Sequence, residues 1–296
     1  MKDITKKDSQ NKKCLKLPFI SLPEGWFCTE AAGPGPFVTK ATFKNPEGRT
    51  ILWTSRHHRK HHFRLDISQG STWWAPYAIG WWIGILFAIG ATFFALGSFP
   101  GYSHVVGSTI DGITYFTGSL FFTTAAFLQY METANAPQNM GFNGDKLRFL
   151  TWEPRRIGWW SVVVQLVGTL FFNLSTFAAI WQYLLVNQID RLVWTPDVYG
   201  SICFLIASYL AWAEVSHAFW SLKPKSLPWW IAIFNLVGSV AFGVSAVAAY
   251  IIPSTGLPQN AILMNMGTLV GAICFFTGAV LLLPERTLSE IGNPNK

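Results

Sequence analysis

The residues in this sequence best suited to chemistry are three glutamates, Glu132, Glu214 and Glu285, each at the end of a long apolar segment. Three carboxylates at one depth can gather around a cation or a proton if their segments pack with approximate threefold symmetry. They can equally form interfacial ion pairs with the basic residues beside them, Arg155, Arg156, Lys223, Lys225 and Arg286. A carboxylate is unfavourable at the negative end of a helix dipole, so some compensating charge is expected. A second set is Gln165, Asn173 and Asn235, amides inside otherwise apolar stretches. In lipid such groups bond a neighbouring helix or line a solute path. A third is RHHRKHHFR, Arg56 to Arg64. On a helix His57 and His61 share a face, as do His58 and His62, which makes them weak candidates for a transition metal. The interleaved Arg56, Arg59, Lys60 and Arg64 would repel a metal ion. They suit contact with anionic headgroups, each worth about 1 kcal/mol near the surface. Glu214-x-x-His217 is half of a di-iron ligand motif, but no second copy exists.

The elements that must position these groups are membrane helices. Of 296 residues, 51% are hydrophobic and 12% charged, against roughly 25% charged in a soluble domain. No charged residue lies between Asp66 and Asp111 or between Lys225 and Glu285. Six apolar segments are each long enough to cross some 30 Å of hydrocarbon: 75–98, 109–131, 157–182, 197–217, 228–251 and 261–283. The expected fold is therefore all-α and integral to the membrane. Its parts are a basic extension (1–70), a six-helix domain (71–285; hairpins 75–131, 157–217 and 228–283) and a tail (286–296). Residues 17–36 hold Pro and Gly and read as an irregular loop, with a small β-hairpin across Asn45-Pro46-Glu47-Gly48. Basic residues crowd the extension, the second and fourth loops and the tail, whereas the other three loops hold only Arg191. The positive-inside rule then puts both termini in the cytoplasm. There Cys14 and Cys28 are expected as thiols, because disulfides are uncommon in that compartment.

The helices read as one hairpin used three times. Trp81-Trp82, Trp159-Trp160 and Trp229-Trp230 open the odd segments and lead, eight residues on, to Gly90, Gly168 and Gly238. In the even segments Gly118, Gly200 and Gly271 precede the glutamates by fourteen residues, with Phe122, Phe204 and Phe275 between. Small residues let helices approach closely in lipid, so all six glycines are expected at helix contacts.

At GSICFLIAS, GSLFFTTAAFLQYME and WWIAIFNLVGSVAFGVSA the chain resembles the YrhK-like bacterial membrane proteins. The likeness covers the hairpins, roughly residues 75–285. It implies a bacterial inner (cytoplasmic) membrane and carries over no active-site residue. No nucleotide loop, nucleophile elbow, zinc motif or selectivity filter occurs. The leading expectation is a non-enzymatic membrane protein with no cofactor, which binds membrane lipids or a protein partner, including further copies of itself, and not nucleic acid. One alternative is a transporter or channel with Gln165, Asn173 and Asn235 lining the path. A weaker one is an enzyme acting on lipid headgroups through the glutamates.

Overall fold

The computed structural model describes residues 14, 22, 24–60, 73–136, 147–181 and 183–288. Three strands open it, β1 (Phe27–Ala32), β2 (Lys40–Lys44) and β3 (Thr50–Thr54), in an antiparallel sheet of that order. Alternation along β2 and β3 buries Ala41, Phe43 and Trp53 on one face, with Ala31 and Val38 completing a small core. The hairpin turn is set by Asn45, whose Oδ1 accepts the Arg49 N–H at 2.7 Å, and by Gly48 at φ 81°. The hairpin lies where its turn residues place it. The stretch expected as irregular loop instead supplies β1, because pairing with β2 from Phe27↔Lys44 to Ala32↔Lys40 satisfies its backbone. A Cys14–Cys28 disulfide also ties this region together, in place of the two thiols expected.

Helix α1 (Ser55–Arg59) follows β3 directly. Beyond it come α2 (Ile79–Gly97), α3 (Tyr102–Val106), α4 (Ser108–Ala134), α5 (Ile157–Ala179), α6 (Val186–Ser216), α7 (Leu227–Ala248) and α8 (Ala261–Leu288). Between the last two, Ile251–Ile252 pairs with Leu257–Pro258. Five helices, α2, α5, α6, α7 and α8, are long and apolar enough to cross a membrane. Helix α6 begins at Val186, well before the expected residue 197. A π turn over Asp190–Trp194 carries the helix into Pro196, whose missing N–H would otherwise have marked a start.

The six long helices close into a ring. Each packs on its neighbour in the order α2, α4, α5, α6, α7, α8, and α8 returns to α2. The glycines sit where helices cross. A Cβ on Gly90 would stand 2.9 Å from the Gly118 carbonyl, one on Gly168 3.2 Å from that of Gly200, and one on Gly238 3.1 Å from that of Gly271. Serine and threonine add polar links, Ser119 to Thr176 at 3.0 Å, Ser208 to Ser239 at 2.8 Å and Ser245 to Thr268 at 2.7 Å. Trp82, Trp160 and Trp230 donate their indole N–H to the carbonyls of Pro76, Pro154 and Pro224 at 2.9, 3.0 and 2.8 Å. Each proline thus locks the loop that feeds its helix.

The axis of the ring is filled with phenylalanine. Phe94, Phe172 and Phe242 form one triangle, with centroids 6.5, 6.1 and 5.9 Å apart. Phe122, Phe204 and Phe275 form a second, at 6.2, 5.6 and 6.0 Å. The two triangles touch through Phe94–Phe122, Phe172–Phe204 and Phe242–Phe275 at 5.2, 5.0 and 5.1 Å. All six rings are buried.

Gly168→Leu and Gly238→Leu are expected to cost more than about 3 kcal/mol each, since the obstacles include backbone carbonyls and ring carbons. Gly243→Leu meets open space and is expected to be tolerated. Purified yield and melting temperature of the three variants check this, and equal values for all three would contradict it.

Candidate functional site

The end of the ring that carries the C-termini of α4, α6 and α8 is closed by α1. The link from β3 to α1 is rigid, because Ser55 N–H bonds the Thr39 carbonyl at 2.9 Å. The cap is fixed to the ring through Thr39 and His217 as well, whose Oγ1 and Nδ1 lie 3.0 Å apart. His217 ends α6 in the left-handed region at φ 55°.

Glu132, Glu214 and Glu285 are all buried at this mouth, and all three act on α1. Ser55 Oγ donates to Glu214 Oε1 at 2.6 Å, and Arg59 Nη2 to Glu214 Oε2 at 3.1 Å. Arg56 Nε and Nη2 donate to the two oxygens of Glu285 at 2.5 and 3.1 Å, and Lys60 Nζ also pairs with Glu285. Glu132 makes no ion pair within 4.0 Å among the described residues, but Lys60 and Arg59 act on it electrostatically. Among the described residues the ion pairs that compensate the helix termini therefore come from the basic segment, while Arg156 reaches Glu214 only electrostatically and the Arg286 side chain lies outside the described residues. Arg156 instead pairs with Glu153, and Lys223 donates to the Val215 carbonyl.

This corrects the expectation of a lipid-facing basic segment. Arg56 and Arg59 are buried, and the Lys60 side chain is 10% exposed. A cationic stretch beside a membrane meets carboxylates here in preference to headgroups, because the barrel mouth offers them at fixed positions. Arg64, His61 and His62 lie outside the described residues. His58 is buried against the Trp53 ring at 5.6 Å. Among the described residues no group of three or more His, Cys, Asp and Glu could hold a metal.

Burial acts first on the charges of α1. It pushes His57 below its ordinary value, with Glu285 opposing and Arg56 and Lys60 adding to the shift. Burial also lowers Lys60, against the pull of Glu285. For Arg56 burial works the same way, but Glu285, with Glu214 and Glu132, together more than offset it and the net shift is upward. His217 is lowered to about 4, first by burial and then by Lys223 and Lys40. Its stabilising effect is thus complete above pH 6.5 and is lost as pH falls towards 4, where the folded form must take up the proton. His217→Asn keeps the left-handed turn. Discounted for its partial exposure, the wild type should lose on the order of 2 kcal/mol more than this variant between pH 7 and pH 4. Denaturant titrations of both proteins across that range check it, and parallel curves would contradict it.

Between the cap and the phenylalanine layers lies a cavity of about 40 Å³. Phe87, Gln165 and Asn235 reach it from α2, α5 and α7, each five residues after the second Trp of its pair. Gln129, Ala211 and Leu282 reach it from α4, α6 and α8, each three residues before its glutamate. Arg56 closes the capped side, and Phe87 and Phe275 contribute ring surface. Gln165 and Asn235 are thus brought together, but Asn173 is not on this wall, and its buried Oδ1 has no partner among the described residues. The cross-helix bonds expected of these amides are made by serine and threonine hydroxyls. Gln129 escaped the sequence reading, although its place one turn before Glu132 could have marked it. No family model matches the chain, and no curated protein or solved structure matches it either.

Proposed function

We propose that the chain is a six-span protein of the bacterial inner membrane, built from a triplicated hairpin, which binds lipids or a protein partner and neither catalyses nor conducts. Helix α4 is the sixth span. It has 27 residues, about 40 Å at 1.5 Å per residue, and its acidic groups lie only at its ends, Asp111 and Glu132. Its threonines and glycines lower its hydropathy, but it stands between α2 and α5 in the ring. The repeat is supported by the equivalent placing of the six glycines, the six axial phenylalanines and the six cavity positions.

The observation that carries the functional reading is the pair of stacked phenylalanine triangles. A conduit needs a path along the axis, and here six buried rings occupy it. At the capped end, exposed Trp74, Trp152 and Trp220 stack edge-on against Trp81, Trp159 and Trp212, as an aromatic belt at the headgroup level would. The same end faces the cytoplasm on the count of basic loop residues. The Cys14–Cys28 bond pulls the other way, since reducing compartments oppose disulfides. Charge asymmetry summed over four segments is the stronger orienting signal, and a single thiol pair can open with the redox poise.

The test is flux. Liposomes holding the purified protein are expected to pass water, small neutral solutes and halide no faster than empty ones, while native mass spectrometry finds retained lipid or protein. Flux above the empty control would favour the transporter reading, whose support is the amide-lined cavity beneath the cap.

A further inference from the structure

The axial cavity is selective in what reaches its wall. Of its lining residues only Arg56 is charged; the carboxylates of Glu132, Glu214 and Glu285 lie outside the lining. The polar remainder is three amides, Gln129, Gln165 and Asn235, and the Ser208 hydroxyl. Ser208 is engaged with Ser239 at 2.8 Å. Among the described residues the three amides make no side-chain hydrogen bond to the protein, so their N–H groups are available to an occupant. Arg56 gives Nε and Nη2 to Glu285, which leaves Nη1 outside that pair.

We propose that this cavity is a binding site for a small monovalent anion of halide size, held by the amide N–H groups of Gln129, Gln165 and Asn235 and by the Arg56 guanidinium. Size sets the class. At about 40 Å³ the space is small and of a size that a halide fills. Charge sets the sign. Glu285 offsets much of the Arg56 charge from behind, but what reaches the wall is a donor-only guanidinium and three amides free to turn their N–H groups inward, which suits an anion. The apolar remainder, with Ile231, Leu282 and the alanines, lowers the local dielectric and strengthens each contact to the ion. The inference goes beyond the reading as a binding protein and holds whether or not the barrel conducts.

The experiment uses the full chain in nanodiscs, in sodium bromide or sodium gluconate at equal ionic strength. Bromide is expected to raise the melting temperature saturably over gluconate, which is too large to enter. Crystals grown with bromide are expected to show anomalous density between Gln165 and Asn235. Asn235→Asp, nearly the same shape with a carboxylate, is expected to abolish the bromide shift. Equal melting temperatures in the two salts, or density there that is water alone, would overturn the proposal. The wild-type salt comparison stands even if the variant does not fold. Bromide flux through the protein would overturn the non-conducting reading and leave the binding site intact.

Discussion

Glu214→Gln is expected to destabilise the protein by about 3–5 kcal/mol, the cost of removing one partner from a buried ion pair. Arg59 is 1% exposed, and its Nε and Nη1 already lack hydrogen-bond partners among the described residues. Glu214 is its one hydrogen-bonding partner among the described residues, so the substitution strands a guanidinium in the barrel mouth. Glu285→Gln should cost as much, because Arg56 and Lys60 both depend on that carboxylate. Glu132→Gln should cost least, since among the described residues Glu132 has no close ion pair to lose and its own charge is buried. The diagnostic variant is Arg59→Met with Glu214→Met. Replacing both charges by apolar side chains is often near neutral, so the double variant should recover most of the loss. Denaturation of the single and double variants in detergent measures the ordering. Equal losses for all three glutamates would instead place them in plain interfacial contacts.

Phe204→Ala is the second large effect, at about 3–5 kcal/mol. Its ring lies 6.2, 5.0 and 5.6 Å from those of Phe122, Phe172 and Phe275, and its side chain is 1% exposed. Lipid tails are as apolar as the core, so the loss comes from packing and from the cavity left behind, not from transfer to water. The vacated space would join the cavity above it, and water permeability is expected to rise over the wild type. A surface change such as Leu170→Ala, on the outer face of α5, is the control and should move neither quantity. Unaltered stability in Phe204→Ala would mean the rings do not bear on one another as described.

Much of the scaffold was legible because membrane helices announce themselves. The paired tryptophans, with basic residues just ahead of two pairs, marked the starts of α2, α5 and α7 to within a few residues. The hairpin followed from Asn45 and Gly48. Strand β1 was hidden because its residues have meaning only once β2 is beside them. The identity of the axial face was hidden too. In segments this apolar every face carries large side chains, and Phe94, Phe172 and Phe242 stand out only by their shared distance from the tryptophans. The cap was the deepest omission. Ser55 and Arg59 lie 159 and 155 residues from Glu214, and Arg56 lies 229 from Glu285. A run of cations has the same spacing whether it meets headgroups or carboxylates. The three glutamates asked for compensation, and local sequence offered nearer candidates than the true ones.

Hydrogen exchange over residues 50–60, read by mass spectrometry with the protein in nanodiscs, tests the docking of α1 most directly. A five-residue helix is unprotected on its own. Held in the barrel mouth by Glu214 and Glu285, its amides are predicted to exchange orders of magnitude more slowly than a free peptide, and to lose that protection in Glu214→Gln with Glu285→Gln. Exchange of the wild-type segment at the free-peptide rate would contradict the account.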